Sequence, residues 1–225
     1  LKNLVNIKTN RLKIMNKNVT FVFGASFIIG NYILPRFLNN LKENIHNDVS
    51  INVSVSHEAI EDLLDKKIDI ALVENYVSND DIIYREWMED EIVIFSNQRL
   101  PQKAKAEDLL SYKWVCRNPE SNTRLIFKEN LEKANFPDCD TFNVTSEVTS
   151  ATTIVQTVLH SDKNATPTVS IVSRNAIESL LKSEALFESR IGNQKMLRKL
   201  YIAYRKDRKH DAFIENVVDY LLKIK

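Results

Sequence analysis

Three glycines, five prolines and two cysteines are all the breakers and thiols that 225 residues contain. So little glycine and proline excludes collagen-like and low-complexity chains, and it means that element boundaries must be read from changes of hydrophobic period. Two cysteines are too few for the disulfide framework of a small secreted domain. Cys116 and Cys139 lie in or beside strand-like segments, without a CxxC pair or a His at metal-ligand spacing, so they read as plain buried thiols and no metal site is expected. Their segments are not expected to meet, which leaves a redox disulfide unsupported. No apolar run approaches the ~20 residues of a membrane helix. The first residues lack the apolar stretch and small-residue cleavage site of a secretory signal, so a cytoplasmic chain with no membrane contact is expected. The charges nearly cancel, 31 Lys and Arg against 30 Asp and Glu for a net +1, which argues against a broad nucleic-acid face. Gly24 and Gly30 lack the third Gly or the Gly-Lys of a phosphate loop, so no nucleotide or other cofactor is expected.

What is present is an ordinary globular balance, 44% hydrophobic and 27% charged, enough for one large core or two small ones. Short β-branched and aromatic runs at 20–23, 51–55, 68–73, 92–95, 114–116, 142–144, 169–172 and 200–204 read as strands. Amphipathic stretches at 32–41, 59–65, 125–134, 152–159, 176–181 and 213–222 read as helices. Their alternation predicts βαβ units and largely parallel sheets, an α/β fold. The opening residues 1–19 carry Lys2, Lys8, Arg11, Lys13 and Lys17 without an acid and read as a linker remnant, whether a solvated tether, a partly ordered helix end or a strand.

Four strands are each followed by a serine just before a helical pattern: Ser26, Ser56, Ser121 and Ser150. Two readings are open. Serine is a good helix N-cap, so these are four routine caps. Alternatively, they mark helix N-termini at the carboxyl ends of the strands, where α/β sheets bind ligands and free N–H groups favour anions. Spacing alone does not choose between them.

Catalytic signatures are missing. His46, His57, His160 and His210 are scattered without an HExxH or other close pair. Glu86, Glu89, Asp90 and Glu91 read as a solvated loop before a strand, as do Asp138 and Asp140 around Cys139. Cys116 has no expected His or cationic neighbour to ionise it. No catalytic residue is assigned, and the chain is not read as an enzyme.

The segment FVFGASFIIGNYILPRFLNNLKENIHNDVSINVSVSHEAIEDLLDKKIDIALVE, 21–74, resembles the start of the effector-binding domain of LysR-type transcriptional regulators. The shared pieces are Gly24-Ala25-Ser26, Ile29-Gly30, Ile33-Leu34-Pro35, Ser56 and Ile68-Asp69-Ile70-Ala71. WVCRNPESNTRLIF matches that family's turn and helix start through Trp114, Arg117, Ser121, Thr123 and Arg124, and MLRKLYIAYRKDRKHDAFIENVVDYLL matches its closing strand and helix. The departures are Phe27 and Ile28 where hydroxyls are usual, Asn118, Glu120 and Asn122 where an acid and two glycines are common, and a longer HSDKNATPT turn at 160–168.

The resemblance implies two Rossmann-like subdomains of the type 2 periplasmic-binding-protein fold, about 20–96 with 200–225 and about 97–199, joined by two crossing strands. It implies a small, anionic effector in the cleft between them, controlling a DNA-bound homodimer or homotetramer. The residues it carries to that cleft are Ser26, Phe27, Ser56, Glu74, Arg117, Ser121, Thr149 and Ser150, with Phe27 offering only its ring and backbone N–H. Arg117 is also readable as a structural ion pair. His57 joins the set because it follows Ser56 at the mouth of the proposed cleft, where an imidazole can pair with an anionic effector. DNA contact is expected only through a winged helix-turn-helix domain absent from this chain. The alternative is a solute-binding protein of a transport system with the same fold. Association is expected through helix 32–41, with Phe37, Leu38 and Leu41, against helix 175–181, with Ile177, Leu180 and Leu181.

Overall fold

The computed structural model describes residues 20–224, so the basic opening stretch lies outside the described residues. The chain divides into two compact units, one running through Met88 and resuming at Lys199, the other Glu89–Arg198. Strands β4 (Ile82–Ser96) and β10 (Met196–Arg205) each run from one unit into the other.

In the first unit β1 (Phe21–Ala25) lies between β2 (Val49–Val53) and β3 (Ile70–Val73), parallel to both, as βαβ connections require. β10 then pairs β3 antiparallel, with Tyr201 opposite Val73. The helices are α1 (Leu38–Ile45), α2 (Ser56–Leu64) and, near the chain end, α7 (Ala212–Lys223). The expected helix over 32–41 is broken: Ile29–Ile33 winds as a π-helix and Leu34–Arg36 as a 3-10 turn before α1 begins. Pro35 removes a backbone donor and crowds the preceding turn, which accounts for the break. Phe21 anchors the core, with ring centroids 4.9 Å from Phe23 and 5.3 Å from Phe213. Ala59, Ile60 and Leu63 bury one face of α2 beside Ile68 and Ala71. Trp87 is buried, and its Nε1 donates to the Leu221 carbonyl at 2.8 Å, tying β4 to α7.

In the second unit β6 (Lys113–Arg117) lies between β7 (Asn143–Val148) and β8 (Thr168–Ser173), again all parallel, while β4 pairs β8 antiparallel. Its helices are α3 (Ala106–Ser111), α4 (Asn122–Lys133), α5 (Ala151–Leu159) and α6 (Arg174–Lys182). Two short strands escaped the sequence pattern: β5 (Lys103–Ala104), and β9 (Phe187–Ile191), whose FESRI mixes polar and apolar residues. Trp114 centres this core, stacked on Phe142 at 5.0 Å and tilted against Phe127 at 5.4 Å, with its Nε1 donating to the Leu109 carbonyl.

Three expectations are corrected. The acidic run is no loop, since Glu86, Glu89, Asp90 and Glu91 all lie within β4. Asp90 is fully buried because Arg198 on β10 donates to its carboxylate at 2.8 Å, with Ser173 and Asn175 also donating to it. Glu91 is held by Arg190 at 2.6 Å. The cysteines do belong to one place: both are buried in the same core cluster around Trp114. Cys116 also has a cationic neighbour, Arg124, yet burial dominates and pushes its thiol up to about 11. Burial, with Asp138 and Asp140 beside it, raises Cys139 as well. Both thiols therefore stay protonated at neutral pH.

Candidate ligand-binding loops

Parallel strands gather the loops that follow them on one edge of a sheet, and ligands of α/β folds are taken there. In the first unit, β1 ends at Ala25 and the next residue, Ser26, is buried. Its Oγ donates to Glu74 Oε1 at 3.1 Å, and its backbone N–H donates to the Leu72 carbonyl at 2.9 Å. Glu74, just past β3, donates its own N–H to Ser56 Oγ at 3.3 Å. One residue thus links the two serines, and all three meet at the ends of β1, β2 and β3.

This corrects the capping reading for two of the four serines. Ser26 spends its hydroxyl proton on Glu74, and Ser56 is the first residue of α2, whose N-cap, Val55, makes no side-chain bond. His57 is exposed at the second position of α2. Phe27 is 50% exposed, so its ring is offered outward from the turn after β1. Gly30 allows that turn to lie against β2, since a Cβ there would come within 2.6 Å of Val53 Cγ2.

In the second unit the serines do cap. Ser121 Oγ accepts the Arg124 N–H at the start of α4 and Ser150 Oγ accepts the Thr153 N–H at the start of α5, both at 3.4 Å. Thr149 and Ser150 are exposed, and Arg117 is half-buried at the end of β6. Arg124, which the sequence reading treated only as a motif match, organises this edge: it donates to the Arg117 carbonyl at 2.7 Å and pairs with Asp140 and Glu147 at 3.3 Å each. Asn118 donates to Glu120 and holds its carboxyl below the usual range. Arg198 reaches the same edge, donating to Thr123 Oγ1 at 3.2 Å. The buried Asp90 and Arg198 pair was missed because its partners lie 108 residues apart in the chain, on strands whose pairing no local pattern shows.

Other polar clusters are occupied by their own partners. Among the described residues Asp138, Cys139 and Asp140 bring donor atoms within 4.8 Å of one another. Lys128 neutralises both carboxylates and the thiol is held protonated, which suits a metal poorly. An open depression of about 490 Å³ lined by Asn39, Lys42, Glu43, His46, Asn47 and Asp48 lies at the amino end of β2, away from the strand ends that carry Ser26 and Ser56.

The family model for the LysR substrate binding domain matches residues 18–224. The chain belongs to that family. It is 26% identical over 200 residues to the HTH-type transcriptional regulator YeiE of Escherichia coli, covering 87% of this chain and 65% of that protein, so the chain spans just under two thirds of that relative. The regulatory domain of CcmR from Synechocystis, in complex with 2-PG, superposes with a TM-score of 0.72 at 17% identity over 91% of this chain and 96% of that one. The effector-binding domain of QuiR, in complex with shikimate, superposes with a TM-score of 0.69 at 19% identity and the same coverage. At these identities the structures establish the fold, which is that of LysR regulatory domains, the α/β type expected from sequence. No helix among the described residues is long and apolar enough to cross a membrane.

Proposed function

We propose that this chain senses a small molecule for a LysR-type transcriptional regulator, and that the molecule carries an anionic group. The observation that carries the reading is the second unit's strand-end edge: Ser121 and Ser150 cap two helix starts beside Arg117, and helix starts attract anions through their N–H groups and dipole. Binding is the reading these groups favour: the loops present mainly hydroxyls and amides, and the hydroxyl that meets a carboxylate, Ser26 on Glu74, is buried. The transport reading is set aside because the relatives are regulators. In the whole protein, DNA contact falls to a helix-turn-helix domain outside this chain, and the effector shifts an equilibrium between two arrangements by its differential affinity for them. A homodimer or tetramer is part of the proposal. Its support is reduced to Phe37, Leu38, Leu180 and Leu181, which stay partly exposed, because Leu41 and Ile177 are buried within their own units.

Native mass spectrometry of the protein purified from its own host tests this directly. A co-purifying small anion supports the proposal; a covalent or turned-over product, or a strictly cationic ligand, contradicts it.

A further inference from the structure

The buried pair of Asp90 and Arg198 joins parts of the second unit that the chain keeps far apart. Asp90 lies on β4 and Arg198 on β10, with the Arg198 Nη2 2.7 Å from the carboxylate. Asp90 also accepts from Ser173, the last residue of β8, at 2.5 Å, and from Asn175, the second residue of α6, at 2.9 Å. Arg198 in turn donates from Nη1 to the hydroxyl of Thr123, the second residue of α4, at 3.2 Å. The pair therefore touches two helix starts on the strand-end edge, since α4 and α6 follow the parallel strands β6 and β8.

Those two helix starts meet opposite charges. At α6 the N-cap Ser173 makes no cap bond and gives its hydroxyl proton to Asp90, so a fixed carboxylate already answers the positive end of that helix. A free anion gains little there. At α4 the fixed partner is a guanidinium instead. Ser121 Oγ accepts the Arg124 N–H, and the buried Thr123 accepts from Arg198, so the first turn of α4 is held from its cap and from its core side while its dipole has a cation behind it. A buried ion pair adds little net stability over apolar groups of similar volume, but its directed bonds fix geometry.

We infer that Arg198 is a positioning residue for the anion at the α4 start, acting through the Thr123 hydroxyl and linking occupancy of that turn to strands β4 and β10. This rests on the proposal that the second unit's helix starts hold the effector's anionic group, and it singles out α4 over α6. Coupling of this kind is reciprocal: if Arg198 improves the turn's hold on an anion, the anion strengthens the turn's hold on Arg198 by the same factor. Asp90 keeps the guanidinium in place on β10, so the response is felt where the two strands meet the helix starts.

The test titrates sodium sulfate at fixed ionic strength into the whole chain, Thr123→Val and Thr123→Ser, followed by calorimetry and by the NMR signal of the Arg198 Nε–H. Thr123→Val keeps the side chain's shape and removes the acceptor, so it should weaken sulfate about fivefold, the scale of one lost hydrogen bond; Thr123→Ser should restore the affinity. Sulfate should shift the Arg198 signal in the wild type and in Thr123→Ser, and leave it still in Thr123→Val at saturation. A hydroxyl that merely touches the anion is separated by the double variant Asp90→Leu with Arg198→Met, in which Thr123→Val should cost nothing further. Unchanged affinity in Thr123→Val, an Arg198 signal that ignores bound sulfate, or a full Thr123→Val loss in the double variant overturns the inference and leaves the anion proposal standing. A wild-type chain that binds no sulfate overturns the anion proposal, and this inference falls with it.

Discussion

The two sets of strand-end loops share a topology and differ in chemistry. At the ends of β1, β2 and β3 the hydroxyls are tied to Glu74, Ser26 to its carboxylate and Ser56 to its backbone N–H, and the exposed large apolar side chains of the first unit gather; at the ends of β6 and β7 the hydroxyls cap helices beside Arg117 and Arg124. The fold decides where loops collect, and the residues placed there decide what each edge attracts. The same contrast extends to what holds each unit. The first leans on apolar packing around Phe21, Phe23 and Leu63, whereas the second adds to its Trp114 core a fully buried ion pair, Asp90 with Arg198.

The largest expected effect would break that contrast at its buried charge. Arg198→Met leaves Asp90 uncompensated in the interior and should lower stability by about 3 to 5 kcal/mol, read from urea unfolding. The double variant Asp90→Leu with Arg198→Met should recover much of the loss, since a buried pair replaced by apolar groups is often neutral. Equal losses in the single and double variants would show that the pair contributes no net charge term. The first unit's counterpart, Glu74→Ala, removes one side-chain acceptor at a part-buried site and should cost only about 1 to 2 kcal/mol.

Capping sharpens the comparison further. Ser150→Ala should cost about 0.5 to 2 kcal/mol and Ser150→Gly only a few tenths, because glycine is tolerated at an N-cap. Ser56 sits inside the first turn of α2, so there the order reverses, with Gly worse than Ala. Thermal melts of the four variants decide it, and the same order at both positions would mean that Ser56 is a cap after all.

The smallest effect is one of pH. Burial raises Cys116 to about 11 in the folded chain, so between the ordinary thiol value and that point the folded state holds a proton that the unfolded state has lost. Stability from this group is therefore full below about pH 9 and falls as pH rises. Cys116→Ala should flatten the alkaline limb of the melting curve; an unchanged limb would assign it to other groups.

Much of this was legible in the sequence. Period and composition located β1, β3, β6 and β8 to within two residues, and the serine positions pointed to the strand ends. What the pattern concealed were matters of long-range partnership. Glu86 to Glu91 looked like a solvated loop because four carboxylates in six positions suit water, until Arg190 and Arg198 arrive from 99 and 108 positions away. Likewise the choice between cap and strand-end group stayed open for Ser26 and Ser56 because nothing local reveals that Glu74 claims both. Pro35 was visible, but whether it would open a helix or break one depended on the packing around it.

The central claim is that the second unit's helix starts hold the effector's anionic group while the first unit's loops do not. Calorimetric titration of sodium sulfate into the wild-type chain, Ser150→Ala and Glu74→Gln, at fixed ionic strength, tests it most directly. The expected result is sulfate binding weakened by about 1 to 3 kcal/mol in Ser150→Ala, the cost of leaving a charged ligand short of a hydrogen bond, with Glu74→Gln binding as the wild type does. Sulfate affinity untouched by Ser150→Ala, or lowered by Glu74→Gln, would contradict it.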